Sequence, residues 1–300
     1  MRFIVTGGTG LIGQALNATL AADGHQVIVL SRSPERAPAM PDGVRVVRWD
    51  AQTAEGWGHW ADGVHAIVNL AGAPLNRRWT PRYKRIIRDS RVNAGRAVVD
   101  AVNRVDQKPQ VVIQASGIGM YGPRGDELIT EEAEPGEGFL GRTAVVWEAS
   151  TAPVEDHGVR RAIIRSGVVL TMEGGAFPLL ALPYRLFVGG PLGSGDQWLP
   201  WIHMEDEIRA IRFLIANQAA EGPFNLSVPH PLTNADFGHT LARVMGRPAL
   251  FRVPAFALRL VLGEMSAAVL HGQRAIPRRL LELGFDFHYP TAEAAFRDLL

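Results

Sequence analysis

The stretch Thr6-Gly7-Gly8-Thr9-Gly10-Leu11-Ile12-Gly13 follows a short apolar run, residues 3–6, and opens a helical pattern over 11–22. Its glycines stand where a strand turns into a helix, and each has its own job there. Gly7 permits the tight turn. Gly10 leaves no side chain where backbone meets a pyrophosphate. Gly13 lets the helix lie close on the strand. The helix start then offers free N–H groups and the positive end of its dipole to phosphate. Gly7, Thr9, Gly10, Leu11, Ile12 and Gly13 are therefore the first candidates for contact with a dinucleotide.

Working outward, apolar runs keep alternating with helical patterns. Residues 26–30, 44–48, 66–70, 111–115 and 161–165 read as strands, and 82–102 and 145–157 as helices. Such alternation predicts an α/β fold with a doubly wound parallel sheet covered on both faces. The texture changes after about residue 170. Gly and Pro are frequent over 174–200, and helical patterns return at 205–217, 234–245, 255–270 and 277–283. Residues 224–228 read as a strand whose sheet the pattern leaves open. The predicted organisation is a nucleotide-binding region over 1–170 and a smaller, mostly helical substrate region over 171–300. The second region can return a strand to the first.

The second strand ends in Ser31-Arg32-Ser33, where NAD-preferring proteins place a carboxylate for the ribose 2′-hydroxyl. Arginine flanked by hydroxyls suits a 2′-phosphate instead, which points to NADP(H). Asp50, after the third strand, is placed to accept a bond from the adenine amino group. Asn69-Leu70-Ala71-Gly72, after the fourth, lets the chain pass close to the cofactor, with Leu70, Ala71 and Gly72 at the contact.

Composition narrows the rest. The 300 residues carry 31 basic and 30 acidic side chains, a net charge of +1, which argues against a nucleic-acid or membrane-surface partner. There is no cysteine, hence no disulfide framework, thiol catalysis or thiolate zinc site. The nine histidines show no His-x-x-x-His or His-Glu-x-x-His spacing, so no metal site is expected. Neither a Gly-x-Ser-x-Gly elbow nor a Walker lysine is present, and the only lysines are Lys84 and Lys108. No run approaches the roughly 18 apolar residues of a membrane helix. The apolar stripe over 255–270 is interrupted by Arg259 and Glu264 and reads as core or dimer contact. The expectation is a cytoplasmic protein, monomeric or homodimeric, with a small-molecule substrate.

Beyond the glycine loop, further segments carry a family resemblance. Ala115-Ser116 leads to Tyr121-Gly122, and Trp201-Ile202-His203-Met204-Glu205-Asp206 follows in the second region. With these, the chain resembles the extended short-chain dehydrogenases/reductases. Ser90-Arg91-Val92, Trp147-Glu148, the run Gly189 to Gly195, Val253-Pro254-Ala255-Phe256, Gly272-Gln273-Arg274 and Pro277 narrow the resemblance. They match an atypical NAD(P)-dependent epimerase-like family with a distinctive C-terminal domain. The resemblance covers essentially the whole chain. It implies a Rossmann fold and NADP binding, with Arg91 in the place of a helix asparagine beside the cofactor, and it settles no substrate.

The chain departs from the superfamily at the catalytic pair. Tyr83, Tyr121, Tyr184 and Tyr289 are followed four residues later by Ile87, Gly125, Val188 and Glu293, so Tyr-x-x-x-Lys is absent. Alignment on Glu148 puts the pair at Leu140 and Ala144, which transfer no protons. Gly117 stands where many members carry Ser or Thr, with Ser116 adjacent. Tyr121, His203 and Ser116 become the candidates for proton transfer or carbonyl orientation. Trp198 and Trp201, in a glycine-rich segment, are placed to stack on a ligand, and Arg165 or Arg185 to meet an anion. Arg77-Arg78-Trp79 lies where it can approach cofactor or substrate.

Two function classes follow. The first is an NADP-dependent oxidoreductase or epimerase-like enzyme on a small carbonyl or nucleotide-sugar-like compound. The second is a non-catalytic NADP(H)-binding sensor or regulatory protein, suggested by the missing pair.

Overall fold

A strand with apolar residues on both faces needs cover on both. In β1 (Arg2–Thr6), Phe3 and Val5 enter one core and Ile4 the other. The computed structural model, which describes residues 1–300, shows how that cover is supplied. β1 is joined by β2 (Gln26–Ser31), β3 (Val44–Arg48), β4 (Ala66–Asn69), β5 (Val111–Gly117), β6 (Arg160–Ser166) and β7 (Gly222–Leu226). All pair in parallel, in the order 3-2-1-4-5-6-7, the arrangement of a Rossmann sheet. β7 is the strand left open by the sequence; it docks beside β6 with Phe224 opposite Ile164.

Helices α1 (Leu11–Ala22), α2 (Pro81–Arg104), α3 (Phe139–Ala149), α4 (Phe177–Arg185), α5 (Met204–Ala216) and α6 (Asn234–Met245) follow in chain order. Leu16 and Leu20 of α1 share one core with Ile208, Ile211 and Leu214 of α5. Ala94, Ala97, Val98 and Ala101 of α2 build the other. A third core, around Phe177, Trp201, Phe237 and Phe296, holds α4 and α6 together.

Three sequence expectations change. The helix expected over 145–157 is α3, ending at Ala149, followed by a 3-10 turn at Ala152–His157. Pro153 has no N–H to bond back to the Ala149 carbonyl, so the α-helical ladder stops there. The helix expected over 255–270 breaks into α7 (Ala255–Leu262), a 3-10 turn and α8 (Ala267–Leu270). Gly263, at φ +60°, adopts a left-handed backbone that no α-helix continues through. α7 is not core: Phe256, Leu260 and Val261 are all exposed. α4, which carries Pro183, and the closing helix Ala292–Leu299 were not legible in the pattern.

Candidate active site

The order of strands reverses between β1 and β4, and a crevice opens beyond their C-terminal ends. The two loops that meet there are the glycine loop and residues 70–72. Gly7 has φ +66°, and a Cβ on it would lie 2.8 Å from the Leu70 carbonyl carbon. A Cβ on Gly13 would lie 2.5 Å from the Gly7 oxygen. Gly10, by contrast, faces outward with only that oxygen near it, 3.2 Å away. Gly10 caps α1 without a side-chain bond, and the first turn holds no acidic residue. The first-turn N–H groups of Leu11, Ile12 and Gly13 and the positive helix end are therefore left for an anion. Thr9 spends its carbonyl on Gln14.

A buried polar ladder holds the loops in place. The Thr6 hydroxyl donates to Asn69 Oδ1 at 2.6 Å and accepts from the Ala71 N–H. Asn69 Nδ2 donates in turn to Gln114 Oε1 at 2.8 Å. β1, β4 and β5 are thus tied at the height of the crevice.

Ser31, Arg32 and Ser33 lie at the end of β2. The Ser33 N–H closes on Ser31 Oγ, while the exposed Arg32 guanidinium makes no bond to the protein. Arg48, opposite Ser31 on β3, donates to the Arg32 carbonyl and pairs with Glu35. It is a second cation at this corner, and the strand register, not local sequence, brings it there. Asp50 serves chiefly its own turn. It accepts from the Gln52 and Thr53 N–H groups and the Thr53 hydroxyl. Burial raises its pKa, but these donors outweigh that and hold it below the usual carboxylate value.

Arg91 reaches the crevice from the buried face of α2. Its Nη1 donates to the Ala73 and Ile87 carbonyls, and its guanidinium lies over the Trp147 ring at 4.7 Å. A Cβ on Gly72 would lie 2.9 Å from the Arg91 Cζ, so the loop and the cation fit only because Gly72 has none. No carboxylate pairs with it, and burial brings its pKa down to about 10.

The crevice continues into a cleft of about 440 Å³ beside the ends of β5 and β6. Arg91, Ser116, Ser166 and Trp198 line it, as do Leu140 and Ala144, the two positions aligned with the absent pair. Of the predicted proton-transfer residues, only Ser116 is there. Its hydroxyl donates to Glu148 Oε1 at 2.6 Å. Arg165 grips both Glu148 oxygens, Nε at 3.0 Å and Nη2 at 2.9 Å. Burial disfavours the Arg165 cation, and its bonds to Glu148 more than restore it, leaving its pKa raised.

Tyr121 is moved from the cleft wall to the core, where it is 0% exposed. Its hydroxyl donates to Asn225 Oδ1 and accepts from Arg165 Nη1. Burial pushes its pKa up, against the pull of Arg165. His203 is likewise structural. It caps α5 by accepting the Glu205 N–H on Nδ1 and stacks on Tyr289. Burial pushes its pKa down despite Asp298, 3.3 Å from Nε2. Trp201 is fully buried, and exposed Arg185 lies away from the cleft. Trp79 does line it, while Arg77 and Arg78 stay exposed.

Sequence reading passed over three groups. His271 lines the cleft from the chain after α8. Arg48 was invisible without strand pairing. Glu207, on α5, is 0% exposed and accepts the Ser166 hydroxyl at 2.6 Å, with its second oxygen unbonded. A more open hollow at the other end of β6 carries Arg160 and Arg279, but backbone carbonyls already occupy both guanidinium groups.

Comparison with known proteins gives the family of the chain. Residues 3–146 match the NAD dependent epimerase/dehydratase family, and residues 253–299 match a domain of unknown function, DUF1731. An epimerase family protein of Staphylococcus haemolyticus is 40% identical over all of this chain and 99% of its own length. The crystal structure of human epimerase family protein SDR39U1 with NADPH superposes with a TM-score of 0.88 at 33% identity, covering 100% of this chain and 99% of that one. A nucleoside-diphosphate sugar epimerase from Corynebacterium glutamicum gives a TM-score of 0.80 at 34% identity, covering all of this chain and 58% of the other. The chain belongs to the epimerase family, with an NAD dependent epimerase/dehydratase region followed by the DUF1731 domain.

Proposed function

We propose that this chain is an NADP-dependent, epimerase-like oxidoreductase acting on a small carbonyl or secondary alcohol. The observation that carries the reading is the uncapped start of α1 below outward-facing Gly10, with unpartnered Arg32 at the end of β2. Leu11, Ile12, Gly13 and Arg91 would hold the phosphates and adjoining ribose. Ser31, Arg32, Ser33 and Arg48 would take the 2′-phosphate, with Asp50 near the adenine and Leu70, Ala71 and Gly72 along the chain of the cofactor. The bound nicotinamide would supply hydride exchange. Ser116 Oγ, its own proton committed to Glu148, would accept from a substrate hydroxyl at the cleft wall.

Calorimetric titration with NADPH and NADH tests the cofactor. A preference for NADPH of at least about tenfold, or roughly 1.4 kcal/mol, is expected, and it should vanish in Arg32→Ala. Equal affinity for the two nucleotides would overturn the NADP assignment.

One observation favours a second reading. Leu140 and Ala144 are apolar, and Tyr121 is sealed in the core. A chain without a positioned proton donor suits an NADP(H)-binding sensor. NADPH oxidation by a panel of carbonyl compounds separates the readings: turnover of none, with tight nucleotide binding, would favour the sensor.

A further inference from the structure

The cleft beyond Arg91 is largely apolar. Half of its lining residues are hydrophobic, and no carboxylate lines it. Trp79, Met120, Phe139 and Leu140 form one wall, with Trp79 edge-on to Phe139 at 5.3 Å. Trp198, Leu199, Ala267 and Val269 face the same space from the second region.

The polar side chains that do reach it are mostly spent on the protein. Gln197 Nε2 donates to the Leu192 and Val269 carbonyls. Gln273 Nε2 donates to the Gly122 carbonyl, and Trp198 Nε1 to Asp126. Asn234 Oδ1 accepts the Leu192 N–H. The Ser116 and Ser166 hydroxyls donate to Glu148 and Glu207. Thr143, His271, the Asn234 amide nitrogen, the Gln197 and Gln273 carbonyl oxygens, the unpartnered Trp147 Nε1 and the remaining edge of Arg91 are what is left for a ligand. Arg91 is also the only Arg or Lys in the lining, and it sits against Gly72 on the cofactor side.

A nucleoside-diphosphate sugar carries two negative charges and a ring of hydroxyls. Here it would meet one cation, already placed for the cofactor, and few free donors. Buried polar groups without partners are strongly disfavoured, whereas an apolar ring gains from every wall of this cleft. Two further cations stand over lining rings without lining the cleft themselves: Arg274 over Trp198 at 4.6 Å and Lys84 over Phe139 at 5.3 Å.

We propose that the substrate of this cleft is a neutral, predominantly apolar compound bearing a carbonyl or secondary hydroxyl on or next to an aromatic-sized ring, and not a nucleotide sugar. The ring lies between the Trp79–Phe139 wall and Trp198, and the oxygen is directed to the polar end of the cleft, where Ser116 Oγ, its proton committed to Glu148, can accept from a substrate hydroxyl. This inference rests on the cleft being the substrate site of the proposed oxidoreductase.

The test is direct titration of the full chain, with and without NADPH, using 9,10-phenanthrenequinone as the neutral planar probe and UDP-glucose as the charged one. Tryptophan fluorescence and calorimetry read binding. The quinone is expected to bind saturably in both states, and UDP-glucose to bind at least about tenfold more weakly. Leu140→Asp should weaken the quinone by about tenfold or more, because it sets a charge against an apolar ligand. NADPH binding should stay unchanged. Trp198→Ala is the second variant and should weaken the quinone without altering NADPH.

UDP-glucose binding as tightly as the quinone, with loss in Arg274→Ala, would overturn the proposal. So would quinone binding that neither variant changes, since the probe would then sit elsewhere. Failure of NADPH to bind would instead strike the cofactor reading, while the titration without nucleotide still decides the character of the cleft.

Discussion

Two serine–glutamate pairs stand on neighbouring strand ends of this cleft, and they are electrostatic opposites. Ser116 is the penultimate residue of β5 and donates to Glu148; Ser166 closes β6 and donates to Glu207. The strands pair so that Ser116 lies opposite Arg165 and Gly117 opposite Ser166. Glu148 is held by Arg165 through two bonds, and that guanidinium extends the network to Tyr121 and the Glu131 carbonyl. Glu207 has no cation and one free oxygen. Burial, only partly offset by the Ser166 hydroxyl, pushes its pKa up to about 7. Burial of a carboxyl thus leads to a fixed ion pair or to a titrating acid according to whether the next side chain is an arginine.

The largest way to break this contrast is Arg165→Leu, which leaves Glu148 buried without its counter-ion. The expected loss is about 3–5 kcal/mol in unfolding free energy, read by urea denaturation. A loss under about 1 kcal/mol would show that the pair contributes nothing beyond its own desolvation.

The next effect belongs to Glu207. The folded protein holds the Glu207 proton more tightly than an unfolded chain, whose glutamate titrates near 4.5. This group's contribution is therefore complete below about pH 4.5 and is lost as pH rises through about 7. The loss is on the order of 3 kcal/mol. No charged side chain contributes to its shift. Glu207→Gln should flatten this part of the pH–stability curve, measured by denaturation from pH 4.5 to 8. An unchanged curve would mean that water reaches Glu207 and relieves it.

The smallest effects are at the hydroxyls. Ser116→Ala should cost about 1 kcal/mol or less, because Arg165 still satisfies Glu148. Ser166→Ala should cost about as much at pH 5 and more at pH 8, where ionised Glu207 has lost its one donor. Equal costs at both pH values would erase the distinction between the pairs.

The legibility of these two pairs differed as well. Trp147-Glu148 and Ser116 were readable, because they sit in segments that resemble a known family. Ser166 and Glu207 are 41 residues apart, and nothing in the periodicity of α5 marks Glu207 as buried. On the helix it follows Asp206, which is also fully buried but bonded to the His288 and Tyr289 N–H groups. Tyr121 and His203 failed as cleft residues for a related reason. Their neighbours in sequence are cleft-like, but Tyr121 is bonded to Asn225 from far along the chain, and His203 caps α5 and packs on Tyr289.

What the sequence by itself determined is local. Glycine spacing at a strand–helix turn, apolar runs of strand length and the helical period after them follow from backbone sterics and burial of one chain face. These specify an α/β fold and a glycine-rich turn between its first strand and first helix before any packing is known. The tertiary structure alone decided which side chains face the cleft and which are sealed behind it. It also decided that β7 closes the edge beside β6, that Arg48 stands next to Arg32, and that one glutamate meets an arginine while the other does not. Those outcomes depend on contacts between residues tens of positions apart, and the low dielectric in which they meet turns the presence or absence of one partner into a different charge state.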